Sequence, residues 1–195
     1  MNKPFGYDEA LVLGEYKPLP SNGYVCVIKQ VHEHTSRNGK PMIVIALDIF
    51  DGEYKGYYEK QYKADTRPDK KWGCNVYQLI EDENGKCTPG FKTFIANVEK
   101  SNPGFATVWG DGFCAAFKGR LIGGLFGREQ YVKTDGSLGW STKCVAFRNT
   151  ETIRNGEFTI PNDKLIDGQK QTAAPVHAKA NNGYVEIDDD EDLPF

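Results

Sequence analysis

The sequence predicts a mainly β fold: a five-stranded barrel with one helix between the third and fourth strands, followed by a disordered C-terminal tail. Three observations lead there. Short strand-favouring segments alternate with turn signals, among 21 glycines in 195 residues, which is the pattern of a β-rich domain. One stretch breaks that pattern with the helical spacing of apolar residues. Beyond Ile166 periodicity stops and the composition shifts to Gln, Ala, Asn, Gly and Pro, too polar to fold on its own.

The first strand runs from Tyr24 through Val25, Val27 and Val31 to His32, and Asn38-Gly39 is the hairpin signal that turns it. The second covers 42–50. Two-residue alternation puts Ile43, Ile45, Leu47 and Ile49 on one face and Asp48 and Phe50 on the other. A Gly52/Gly56 turn leads to a third strand over Tyr57–Lys63, completing a meander. Residues 67–73 form a loop by composition, and 74–82 fit a short helix. Phe91, Phe94, Ile95 and Val98 stand at i, i+3, i+4 and i+7, one face of a helix, which Pro103-Gly104 ends. Residues 118–132 resume as a strand interrupted by Gly119, Gly123, Gly124 and Gly127, a sign of bulging or strong coiling. Asp135-Gly136 then turns the chain into a final strand, Trp140–Arg148. This element order is that of the OB-fold, the five-stranded Greek-key barrel that binds oligonucleotides and oligosaccharides. An SH3-like barrel or an irregular sandwich also accommodates it. The chain thus divides into a domain over 1–166, a flexible linker over 167–187 and an acidic tip over 188–195.

The formal charge of −3 conceals a division. Residues 1–185 carry all 24 basic residues against 21 acids, whereas the last ten carry six acids and no base. The body is mildly basic and the tail reads as an interaction segment. The longest apolar run, Met42–Leu47, falls far short of the ~20 residues of a membrane span. The N-terminus has no apolar signal region. The five cysteines, Cys26, Cys74, Cys87, Cys114 and Cys144, are odd in number and lack a Cys-x-x-Cys pair, which suits a reducing cytoplasm better than a disulfide framework or a zinc site.

Catalytic constellations are sparse. His32 and His34 share a strand face as a metal pair without a third ligand nearby in sequence, and His177 lies in the linker. No Gly-x-Ser-x-Gly, Gly-x-x-x-x-Gly-Lys-Ser/Thr or His-Glu-x-x-His occurs. Asp48, Asp51 and Glu53 read as solvated strand ends. No catalytic residue, metal or cofactor is expected.

A binding surface is better supported. Residues 50–72 interleave Phe50, Tyr54, Tyr57, Tyr58, Tyr62 and Trp72 with Lys55, Lys60, Lys63, Arg67, Lys70 and Lys71; the last hairpin adds Arg128, Tyr131, Lys133, Trp140, Lys143, Phe147 and Arg148. Single-stranded nucleic acid calls for this pairing, since aromatic faces stack bases at ~1–3 kcal/mol each and cations follow the phosphates. The expected contacts are Phe50, Tyr54, Tyr57, Lys60, Tyr62, Arg67, Lys70, Lys71 and Trp72 with Arg128, Tyr131, Lys133, Trp140, Lys143 and Arg148. Strand alternation assigns part of this set to the core.

The chain ends Asp188-Asp189-Asp190-Glu191-Asp192-Leu193-Pro194-Phe195. This resembles the acidic C-terminal tip of bacterial single-stranded DNA-binding proteins, with Leu193 where isoleucine is usual. The body resembles the phage and prophage members, in which one OB domain precedes a flexible tail. The long insertion between the third strand and the helix departs from that pattern. The resemblance implies a non-catalytic protein of a bacterial or phage-infected cell that coats single-stranded DNA. Its tip, residues 188–195, would recruit replication, recombination and repair enzymes, and self-assembly would multiply the short site of one domain. Physically, a partner gains ~1.5–3 kcal/mol by burying Phe195 while basic side chains hold the carboxylates. The runner-up is an adaptor or inhibitor whose barrel binds protein; a barrel nuclease or carbohydrate binder stands third.

Overall fold

The computed structural model describes residues 1–4, 7 and 18–166; the linker and the acidic tip lie outside them. Five strands form one antiparallel sheet: β1 (Asn22–Thr35), β2 (Pro41–Ile49), β3 (Asn75–Leu79), β4 (Leu121–Val132) and β5 (Leu138–Arg148), in the order β3-β2-β1-β4-β5. Among the described residues four helices accompany them: α1 (Tyr57–Ala64), α2 (Pro89–Ser101), α3 (Phe113–Ala116) and α4 (Thr150–Arg154). The mainly β class, the meander order of the first three strands and the helix before β4 are as expected.

Two elements differ from the expectation, and they exchange roles. The segment Tyr57–Lys63 is helical, not the third strand, and 75–79 is that strand, not a helix. The cause lies ten residues upstream. Asp48 is 2% exposed rather than solvated, and its carboxylate accepts the N–H groups of Ile49 (2.8 Å), Tyr58 (3.0 Å) and Glu59 (3.3 Å). It supplies the first-turn acceptor that α1 lacks locally, since Gly56 at its N-terminus makes no side-chain cap. With Tyr57–Lys63 so engaged, the exposed edge of β2 pairs instead with Asn75–Leu79, from Ala46↔Asn75 to Met42↔Leu79.

α2 follows its apolar spacing. Phe91, Phe94 and Val98 are buried, Pro89 opens the first turn, and the Thr88 hydroxyl accepts the Phe91 N–H at 3.2 Å. The core joins these residues and Phe113 and Phe117 to Cys26, Ile28 and Val31 of β1, Ile43, Ile45, Leu47 and Ile49 of β2, and Ile122, Phe126 and Phe147 of β4 and β5. A smaller cluster on the reverse face, Val25, Leu125, Ala146 and Ile153, is covered by α4 and Phe158.

The glycines of β4 answer to close packing. A Cβ on Gly123 would come within 2.8 and 2.9 Å of the Asn149 and Arg148 carbonyls and 2.5 Å of Ile153; one on Gly124 would meet Phe126 at 2.8 Å. Pairing of β1 with β4 ends at Asn22↔Phe126, but β4 and β5 continue together to Val132↔Leu138. The stretch from Arg128 to Thr142 is therefore a hairpin arm reaching past the core.

Among the described residues, no helix is long and apolar enough to cross a membrane. His32 and His34 share a strand face opposite Val44 and Met42, but no group of three His, Cys, Asp or Glu among the described residues is placed to hold a metal. All five cysteines are free thiols.

Candidate nucleic-acid interface

The aromatic and basic residues of 50–72 separate into two groups. Tyr54 and Tyr57 pack against the core. Tyr54 meets Tyr24 edge-on at 6.0 Å, and Tyr24 in turn meets Phe126 at 5.4 Å. The Tyr57 hydroxyl accepts the Leu19 N–H at 3.1 Å. Burial and the neighbouring Tyr54 and Glu53 push the Tyr24 hydroxyl pKa up to about 12. These rings are structural along most of their faces.

The second group has exposed edges and cations. Tyr62, on the last turn of α1, lies 5.6 Å from Trp72, and Lys70 covers the Tyr62 ring with its ammonium 4.4 Å from the centroid. Trp72 is fastened by its indole N–H to the Leu47 carbonyl at 2.7 Å. Lys29 of β1, outside the expected contacts, reaches within 5.9 Å of the Trp72 ring and pairs with Glu59 at 3.1 Å. Its signal is the register shift between Ile28 and Gln30, a bulge that no residue type there announces. Glu59 also holds Lys63 at 2.8 Å, and the two lysines, Lys63 first, bring its carboxyl down to about 2. Arg67 is bound by Asp65 through both carboxylate oxygens, with the carboxyl likewise held to about 2 by that partner. Lys60 and Lys71 are exposed, and Phe50, at the end of β2, is 39% exposed.

On the arm, register decides which side chains meet. The pairs Arg128↔Thr142, Gln130↔Trp140 and Val132↔Leu138 share one face; Glu129↔Ser141 and Tyr131↔Gly139 share the other. Arg128 and Trp140 are thus brought together, the guanidinium carbon 5.0 Å from the ring centroid, a contact worth ~0.5–1 kcal/mol at an exposed site. Val132 and Leu138, both exposed, extend this face outward. Tyr131 lies on the opposite face over Gly139, and Lys143 on that face pairs with Glu129 at 3.2 Å. Arg148 lies at the far end of β5, its guanidinium donating to the Phe147 carbonyl at 2.8 Å. Lys133, at the arm's tip, is exposed and has no ion-pair partner among the described residues.

Leu19 ties the two regions. Its N–H donates to Tyr57 of α1, and its carbonyl accepts the Thr142 hydroxyl of the arm at 2.6 Å. Thr142 stands opposite Arg128 on the Trp140 face. Leu19, itself buried, thus links α1, which carries Tyr62, to β5, which carries Trp140. Trp109, absent from the expected set, is 67% exposed and stacks on Phe113 at 5.4 Å, in a loop apart from both groups.

The expected partner contacts of Asp188–Phe195 lie outside the described residues. No family model and no curated protein matches the chain.

Proposed function

We propose that this chain binds single-stranded DNA, largely without regard to sequence, on an OB-type Greek-key barrel, and that its acidic tip docks replication, recombination or repair enzymes. The observation that carries this reading is the Arg128–Trp140 pair. A cation lies over an indole that is 42% exposed, on an arm with further exposed apolar side chains. Such a pair offers a base a stacking face and its phosphate a charge. The Lys70–Tyr62–Trp72 group repeats the pairing at the end of α1.

The sheet order supports the barrel: β1 pairs with both β2 and β4, and α2 stands between β3 and β4. The resemblance of the last eight residues to the single-stranded DNA-binding protein tip supports the docking role.

Titration with oligo-dT followed by intrinsic fluorescence, beside a gel shift at low salt, tests the reading. Quenching that Trp140→Ala diminishes is expected. Neither quenching nor a shift would overturn it in favour of a protein-binding adaptor, a reading that the acids paired with Lys29, Arg67, Arg128 and Lys143 favour.

A further inference from the structure

The segment after α4 runs back over the sheet. The Phe158 ring covers Gly23, where a Cβ would meet it at 2.5 Å, and Pro161 covers Gly127, where a Cβ would lie 3.0 Å from its own Cβ. The chain then takes the edge of β4 that β1 relinquishes beyond Asn22. The Lys164 N–H donates to the Arg128 carbonyl at 2.8 Å, and the Gln130 N–H donates to the Lys164 carbonyl at 2.9 Å, a parallel bridge between Glu129 and Lys164. Lys164 thereby faces Glu129, with 3.5 Å between their charged groups. Asp163 falls to the Arg128 side. One of its oxygens accepts from Nε at 3.0 Å and the other from Nη2.

Two parallel bonds from guanidinium to carboxylate use the geometry in which guanidinium also takes a phosphate. The same guanidinium also covers Trp140. Carboxylate, cation and indole are thus laid out as phosphate, cation and base platform would be.

We propose that residues 161–166 form a strap that fills the arm's phosphate position through Asp163, and that a bound single strand displaces it. This rests on the single-stranded DNA reading and adds its regulation. The strap's hold suits exchange: its pairing with β4 is one isolated bridge, and the ion pair is open to solvent, with side chains 48% and 27% exposed, where such pairs contribute little. The strand that replaces Asp163 would lift the strap and with it the root of the tail, so occupancy of the arm is read out where the C-terminal segment begins.

Oligo-dT binding by fluorescence anisotropy at low salt, on the full chain and on Asp163→Asn, Arg128→Ala and the double variant, tests this. Asp163→Asn should tighten binding by about two- to fivefold, the gain from removing an exposed competitor. Arg128→Ala should weaken it, and the double variant should match Arg128→Ala, because Asp163 acts through Arg128. Hydrogen exchange gives a second readout: oligo-dT should raise exchange at the Gln130 and Lys164 amides. If the unaltered chain binds and Asp163→Asn is unchanged or weaker, Asp163 is no competitor; the strap proposal falls and the DNA reading stands. Protection rather than exposure of Lys164 would also overturn the strap. If the unaltered chain does not bind, both readings fall.

Discussion

The carboxylate of Asp48, in β2, accepts the backbone N–H of Tyr58 at 3.0 Å, in the first turn of α1. The second carboxylate oxygen takes Glu59 at 3.3 Å. One buried side chain thereby joins sheet and helix and satisfies donors that Gly56 leaves open. Replacing it with alanine strands three N–H groups, and a buried donor without a partner costs ~1–3 kcal/mol. Asp48→Ala should lower stability by about 2–4 kcal/mol in urea unfolding, and Asp48→Asn, which keeps one acceptor oxygen, by about half as much. Equal losses for the two would mean that shape rather than hydrogen bonding fixes the contact.

Asp48 and its neighbour Glu59 should respond to acid in opposite senses. Burial raises the Asp48 carboxyl above its ordinary value, against the pull of the Tyr58, Ile49 and Glu59 amides and Lys29. Between its unfolded value and the raised folded one, the native state binds more protons, so this group costs stability as pH rises. Lys63 and Lys29 hold Glu59 near 2; its contribution is present above the unfolded value of about 4.5 and fades as pH falls toward 2. Its side chain is 39% exposed, so solvent screens much of that contribution. Glu59→Gln should flatten the decline of Tm between pH 5 and about 2.5, whereas Asp48→Asn should steepen it. Parallel profiles for both variants and the unaltered chain would contradict the assignment.

What was legible in the residues was the pattern of local burial. The spacing of Phe91, Phe94 and Val98 anticipates α2, and the alternation through Ile49 anticipates the buried face of β2. The exchange of helix and strand at 57–63 and 75–79 was not legible, because Tyr57, Tyr58 and Tyr62 favour strands and the acceptor that overrides them sits ten residues away in Asp48. The candidate site shows the same limit. Composition brings Arg128, Tyr131, Trp140 and Lys143 together, yet the register of β4 with β5 sends Arg128 and Trp140 to one face and Tyr131 and Lys143 to the other. Partners distant in sequence, Asp163 for Arg128 and Glu59 for Lys29, leave no local trace.

Gly123 is hemmed in by backbone as well as by the Ile153 side chain. A methyl group there would press on the Asn149 and Arg148 carbonyls at 2.8 and 2.9 Å, so β4 or the start of α4 must shift. Gly123→Ala should cost about 1–3 kcal/mol, the range for overpacking a filled site. Gly136→Ala, at the turn of the arm with φ 81° and open space around it, should cost less, about 1–2 kcal/mol, from left-handed backbone strain alone. Thermal unfolding of the two variants ranks them, and a smaller loss at Gly123 would refute the packing argument.

Lys70 and Arg67 make the sharpest pair for the binding surface, because they lie three residues apart and differ in what already holds them. Arg67 is bound to Asp65 through both oxygens, so a phosphate must compete with a carboxylate for it. Lys70 lies over Tyr62 without an ion pair among the described residues, and the ring leaves its charge unneutralised. A cation that meets one phosphate contributes ~0.7 to the slope of log K against log salt on single strands. Lys70→Ala should therefore reduce the slope for oligo-dT by about 0.7, and Arg67→Ala should change it by clearly less. Because both side chains are at the surface, neither variant should shift Tm by more than about 2 °C, the scale of a ΔΔG under 0.5 kcal/mol. Equal slopes for Lys70→Ala and the unaltered chain would remove the Lys70–Tyr62–Trp72 group from the path of the strand and leave the arm as its sole platform.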